Sequence, residues 1–241
     1  PVLQEPVRVL RPLGWRERLW CLFLPARCLC CGRAVRPERL FCPGCVPALP
    51  KEPLSREFPL PGGGFLAVAA CFPYEKGFRR TLHRLKFQEE RALARPLGTL
   101  MAEAASSLGE ELDGVTWVPM SPQKLRRRGY NQSELLAKAV AKELGLPAWD
   151  LLEQVRETDT QHSLTRSQRA DNVRGAYRAK GATLGKRVLL VDDIVTTGAT
   201  LRACAQGLYG AGAQKVCAVC AANTAFSRRE ELPPAEPEED M

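Results

Sequence analysis

Val188-Leu-Leu-Val-Asp192-Asp193-Ile-Val-Thr196-Thr197-Gly198-Ala199-Thr200-Leu201 opens on four β-favouring apolar residues, meets two carboxylates, turns through threonine and glycine, and continues into an apolar, alanine-rich run. The pattern predicts a strand with an acidic tip, a loop and then a helix. The glycine permits a turn that aims successive backbone N–H groups at one point, and a helix beginning near Ala199 adds the positive end of its dipole. Thr196 to Thr200 thus make a phosphate cradle that needs no lysine. Asp192 and Asp193 fall at the carboxyl end of the strand, where ligands bind in open α/β sheets. There they can accept hydrogen bonds from vicinal hydroxyls or hold Mg2+. Together these features suit a ribose 5-phosphate. The plainer alternative is a receiver-like strand whose aspartates only bind a metal, and it has no need of the Thr-Thr-Gly-Ala-Thr turn.

On either side the chain alternates predicted strands and helices. Gly210-Ala-Gly212 stops the cradle helix and Val216 to Ala222 reads as the next strand. Upstream, Thr116-Trp-Val118 is a short strand running into Pro119-Met-Ser121-Pro122 and the basic run Lys124 to Arg128. Ser133 to Leu144 then has a helical period. A loop that opens onto a helix N-terminus is a second anion site, and its arginines add mobile positive charge. Phe65 to Phe72 reads as a strand, and residues 92 to 108 as a helix with Leu93, Leu97, Leu100 and Met101 inward. Phe78 to Phe87 reads as a helix bearing Arg79, Arg80, His83, Arg84 and Lys86. Those cations make either a solvated face or a basic surface for nucleic acid or pyrophosphate. The polar segment Arg156 to Gly175 lies between predicted strands, as binding loops and lids commonly do; a solvated hinge is the alternative. His162 within it has no visible carboxylate partner and reads as solvated.

The chain of 241 residues is 45% hydrophobic, enough for one α/β core and a small module. Its formal charge of +8 comes mostly from arginine, 26 residues against 9 lysines, which attracts phosphate-bearing ligands or nucleic acid. A GC-rich genome is the plainer source of that bias, since Ile194 is the one isoleucine. Without a membrane-length apolar run or a signal-peptide core, a cytoplasmic protein with no membrane insertion is expected.

Ten cysteines in such a protein point to metal ligands or buried residues rather than disulfides. Cys28-Leu-Cys30-Cys31-Gly32 and Cys42-Pro-Gly-Cys45 form two C-x2-C knuckles on turns rich in glycine or proline, the spacing of a structural four-cysteine zinc ribbon. Cys28 and Cys31 are the preferred first pair, because Gly32 suits the turn after the second ligand; Cys30 and Cys21 are then spare. Four thiolates leave no position open for substrate. Cys217-Ala-Val-Cys220 has the same spacing but lies on a predicted strand, where positions i and i+3 face opposite ways. Cys71 and Cys204 read as small buried hydrophobes. Trp15, Leu19, Trp20, Leu22 and Phe23 suggest a short N-terminal amphipathic helix. The five prolines of residues 46 to 64, with Gly62-Gly63-Gly64, read as a linker. Pro233 to Met241 is acidic and proline-rich, an expected disordered tail.

The aliphatic run, Asp-Asp and Ile-Val-Thr-Thr-Gly-Ala-Thr together resemble the motif that binds phosphoribosyl pyrophosphate (PRPP) in type I phosphoribosyltransferases. Val-Pro-Met-Ser-Pro, Arg-Arg-Gly-Tyr-Asn-Gln, Thr-Asp-Thr-Gln161 and Arg169-Ala-Asp-Asn172-Val173 precede it, all behind the cysteine knuckles. That order resembles the ComF family of competence-associated proteins over about residues 19 to 226. The family is often labelled amidophosphoribosyltransferase; Glu89 stands where relatives often have glycine. The resemblance implies an open, mostly parallel α/β sheet flanked by helices, of the type I phosphoribosyltransferase kind, with an N-terminal zinc ribbon. The expected parts are residues 1–60 (helix, ribbon and linker), 61–226 (transferase-like domain) and 227–241 (tail). It implies Mg2+-dependent phosphoribosyl transfer to an unidentified acceptor. Asp192 and Asp193 would serve as catalytic residues, Thr196, Thr197, Gly198, Ala199 and Thr200 at the 5-phosphate. Ser121, Arg126, Arg128, Gln161, Arg166 and Arg169, with Ser163, would reach pyrophosphate, and Asn172 would fix the base of the lid. Two other readings stay open: a DNA-uptake factor using the ribbon and basic face toward single-stranded DNA or a helicase, and a PRPP-binding regulator without turnover.

Overall fold

Residues 188–191 are fully buried, a state available to a strand covered on both faces within a parallel sheet. The computed structural model describes residues 26–36, 39–87, 90–156 and 175–226, with Lys76 and Phe87 given by their backbone alone. The expected N-terminal helix with Cys21, Glu89, the tail, and Gln161, His162, Ser163, Arg166, Arg169 and Asn172 lie outside these residues. The strands are β1 (Leu54–Pro59), β2 (Phe65–Pro73), β3 (Gly114–Trp117), β4 (Leu152–Gln154), β5 (Tyr177–Ala179), β6 (Arg187–Val195) and β7 (Lys215–Asn223). The helices are α1 (Lys76–Phe87), α2 (Ala94–Ser106), α3 (Pro122–Arg128), α4 (Gln132–Leu144) and α5 (Ala199–Gly210). Five strands form one sheet in the order β1-β2-β7-β6-β3, parallel except for β1. This is the expected open, mostly parallel α/β sheet. Among the described residues no helix is long and apolar enough to cross a membrane.

The alternation of β6 builds two cores. Leu189 and Val191 join Cys217 and Val219 of β7 on one face, beneath Leu82, Leu97 and Leu136 of α1, α2 and α4. Val188 and Leu190 join Val216, Ala218 and Cys220 on the other, beneath Leu201 and Leu208 of α5. Each fully buried Val or Leu contributes about 1.5–3 kcal/mol. Cys217 and Cys220 lie in different cores, as period 2 requires, and share no metal. Cys71 and Cys204 are buried too.

Part of the expected linker is sheet. Gly62, Gly63 and Gly64 all have positive φ (95°, 101°, 77°) and close a turn in which Leu60 N donates to Gly64 O at 3.1 Å. The turn folds β1 back along β2, with Phe58 opposite Leu66. Triple glycine, read as slack, supplies here the left-handed conformations that a tight reversal requires. The chain therefore enters the sheet at Leu54.

The β3 connection leaves through α4 and reaches Ala148, bridged to Val115 outside β3, whereas β6 leaves through α5 toward β7. The two connections depart in opposite directions over opposite faces. The crevice beyond the carboxyl ends of β3 and β6 is therefore the topological switch point, where such sheets bind ligands. The polar segment 156–175 joins β4 to β5, an antiparallel pair of which β5 packs on α5.

Candidate functional site

Asp192 and Asp193 end the buried run of β6 at this crevice. Asp192 Oδ1 accepts two hydrogen bonds, from Ser133 Oγ at 2.8 Å and from Asp193 N at 2.9 Å. Burial, and then the charge of Asp193, push its carboxyl up to about 7, against the two donors. Asp193 is 5% exposed and holds Lys86 Nζ 2.5 Å from its Oδ2. Burial opposes the lysine's charge, but Asp193 and then Asp192 overcome it and hold the ammonium above its ordinary range.

Two of these partners were not assigned from sequence. Lys86 was grouped with the basic residues of α1, but Phe78, Leu82 and Lys86 follow one another at i, i+4 and i+8 on the buried side. The helical wheel carries the signal: a lysine on an apolar stripe needs a buried anion. Arg84 instead forms a bidentate pair with Glu90, while Arg79, Arg80 and His83 are exposed. The cations of the expected basic face are thus divided between a buried ion pair, a bidentate pair and solvent. Ser133 lies 59 residues from Asp192 in the chain, and no local pattern could have revealed their contact.

The cradle follows directly. Gly198, at φ 71°, is the N-cap of α5 and gives it no side-chain cap, so the first N–H groups of a 12-residue helix face the turn. Thr197 Oγ1 lies 3.4 Å from Ala199 N; Thr196 is exposed, while Thr197 and Thr200 are half-buried. A Cβ on Gly198 would stand 2.5 Å from two ring carbons of Phe58. The strand absent from the sequence reading therefore supplies the floor of the cradle. Gly198→Ala combines a left-handed φ with this overlap and is expected to lower stability by about 2–4 kcal/mol in a denaturant titration. A loss below about 1 kcal/mol would mean that glycine is not required there.

The loop beyond β3 differs from its expected form. Ser121, 2% exposed, is the N-cap of α3, its Oγ accepting from Lys124 N at 3.4 Å. Arg126 is exposed on that short helix, and Arg128 Nη1 donates to Gln132 Oε1 at 2.7 Å. The α4 N-terminus is not open: Asn131 Oδ1 accepts from Ser133 N at 3.0 Å. Asn131 Nδ2 also donates to Val118 O at 3.0 Å, tying α4 to the end of β3 and so placing Ser133 against Asp192.

The sulfurs of Cys28, Cys31, Cys42 and Cys45 lie within 4.8 Å of one another and could hold a metal ion. Gly32, at φ 76°, turns the first knuckle as its N donates to Cys28 O at 2.9 Å. Burial raises the Cys42 thiol, but contacts with the Cys45 and Cys31 thiols bring it down to about 7, while burial and then Cys42 push Cys45 up. Four crowded thiols that share an anion are a donor set suited to a cation. Cys30 stands beside this group, its thiol in contact with that of Cys45, but is not one of the four; a Cβ on Gly77 would meet its Sγ at 2.3 Å. The knuckles share a core with the sheet. Phe41 stands edge-on to Phe72 and Phe78 (5.9 and 6.1 Å between centroids), which stack at 3.6 Å, and Thr81 Oγ1 donates to Leu29 O.

Residues 131–235 match the phosphoribosyl transferase domain family, a span containing α4, the acidic pair and the cradle. A Salmonella typhimurium protein named DNA utilization protein YhgH is 36% identical over 208 residues, 82% of this chain and 90% of that protein. The Streptococcus pneumoniae competence protein ComFC is 33% identical over 147 residues, 61% of this chain and 64% of its own length. Among solved structures, a glutamine PRPP amidotransferase from B. subtilis is 27% identical with a TM-score of 0.37. That match covers 54% of this chain and about a quarter (26%) of the amidotransferase. Carrying a phosphoribosyl transferase domain behind a four-cysteine cluster, and aligned over nine-tenths of a DNA utilization protein, this chain belongs to the ComF family.

Proposed function

We propose that this chain binds PRPP with Mg2+ and transfers its phosphoribosyl group to an acceptor not yet identified, releasing pyrophosphate. The observation that carries the reading is a carboxylate pair, Asp193 buried and Asp192 half-buried, adjoining a turn whose N-cap Gly198 offers the α5 N–H groups no side chain of its own. In this reading the turn from Thr196 to Thr200 holds the 5-phosphate, and Asp192 and Asp193 accept from the ribose hydroxyls or hold the metal. Carboxylate oxygens suit Mg2+, which when bound would offset charge on the leaving pyrophosphate. Departure of pyrophosphate leaves positive charge on the ribose, which the two carboxylates stabilise through the hydroxyls. Ser121, Arg126 and Arg128, with Gln161, Arg166 and Arg169, are assigned to pyrophosphate, and the segment between β4 and β5 to excluding water. The cysteine cluster holds structural Zn2+. A cytoplasmic location goes with this reading.

A second reading, a nucleic-acid factor for DNA uptake, draws on exposed Arg79 and Arg80, on exposed Arg33 and Arg36 in the knuckles, and on the relatives' names. Its partners would be single-stranded DNA or an uptake helicase, with the PRPP site a sensor or vestige. Pyrophosphate release from PRPP in the presence of an amine or nucleobase acceptor, lost with Asp193→Asn, is expected under the first reading. PRPP bound without release, together with salt-dependent DNA binding that Arg79→Ala and Arg80→Ala remove, would favour the second.

A further inference from the structure

We infer that Lys86 is a displaceable counter-ion that keeps bare divalent cations off the acidic pair, so that the site accepts a cation together with a phosphorylated ligand. This rests on reading the acidic pair as the ribose and metal site. Nζ lies 2.5 Å from Asp193 Oδ2, with the two side chains 21% and 7% exposed, so the ammonium occupies the oxygen that a metal or a ribose hydroxyl would address. Asp192 already receives two donors on Oδ1, whereas Asp193 relies on the lysine.

The backbone beneath Lys86 is fixed at both ends of α1. Near its start, Phe78 stacks on Phe72 and Thr81 donates to Leu29 O; near its end, Tyr130 Oη donates to Leu85 O. The four-carbon stem above this anchor still pivots, and a partly exposed ammonium can leave its carboxylate without unfolding anything. Two adjacent carboxylates, one buried and one half-buried, would without a cation attract any divalent ion strongly. With the internal cation in place, a bare ion gains less, because it must expel a positive charge into the same crevice. A cation that arrives chelated by phosphates brings negative charge for the released ammonium to face. Lys86 thus selects for the complex over the free ion.

The test is Mn2+ binding, followed by the loss of the free-ion magnetic resonance signal, on the full chain with its cysteine site loaded. Lys86→Gln is expected to bind Mn2+ alone at least about tenfold more tightly than the wild type, and Lys86→Gln with Asp193→Asn to lose that gain. Unchanged Mn2+ affinity in a folded Lys86→Gln protein would overturn the inference. Should that variant not fold, Lys86→Met with its larger apolar stem gives the same comparison. In addition, PRPP is expected to tighten Mn2+ binding to the wild type; no tightening despite PRPP binding also overturns it. A Mn2+ gain in Lys86→Gln without any PRPP binding to the wild type would uphold the counter-ion and overturn the ribose reading instead.

Discussion

Replacing Asp192 and Asp193 together by asparagine is expected to weaken PRPP binding more than about 100-fold, since two hydrogen bonds to charged groups are worth about 1.5–3 kcal/mol each. The change is nearly isosteric. An amide oxygen at 192 still accepts from Ser133 Oγ and from the backbone N at 193, so the link between β6 and α4 survives. Lys86 loses its partner, but its side chain is 21% exposed and can turn toward water. Circular dichroism and metal content should therefore match the wild type while calorimetric titration shows no saturation. Unchanged affinity in the folded double variant would remove the ribose assignment.

The second large effect is expected at the cysteine cluster. One Zn2+ per chain should be found by elemental analysis, and Cys42→Ser should lose it, with a fall in Tm of roughly 10 °C as some 3–5 kcal/mol of packing is released. Among their described residues the knuckles have little structure of their own: one bridge, Arg27 to Ala34, and a handful of backbone bonds. Leu29, Leu40 and Phe41 are buried against Phe72, Phe78 and Leu82, so a metal-free module would expose the sheet's own core as it loosened. Cys30→Ser should keep the metal, because Cys30, although its thiol touches that of Cys45, is not among the four mutually close sulfurs. Metal retained in Cys42→Ser but lost in Cys30→Ser would reverse the ligand assignment.

The sequence signals that succeeded were local. Strand β6, its acidic tip and α5 follow from a continuous apolar run that meets a glycine turn. The turn after Cys31 was legible as well, since Gly32 adopts the positive φ expected of it, and Cys28 and Cys31 fall with Cys42 and Cys45 in the group that could hold a metal. The opposed faces of Cys217 and Cys220 needed only a period of 2. What stayed hidden depended on partners far along the chain. Strand β1 buries Phe58 alone and otherwise reads Leu-Ser-Arg-Glu, as a charged edge strand does, so nothing distinguished it from a proline-rich linker. Helix α3 had its signals, Ser121 and Pro122 at its start and Gly129 at φ 78° past its end, but an arginine run masked them. Lys86 and Ser133 surround the acidic pair from two different helices, and only the tertiary fold brings them there.

The most direct measurement is calorimetric titration of the zinc-loaded chain with PRPP, with and without Mg2+. Saturable binding that requires Mg2+ is the predicted result. No binding at millimolar PRPP would contradict the assignment of the β6 crevice as a PRPP site.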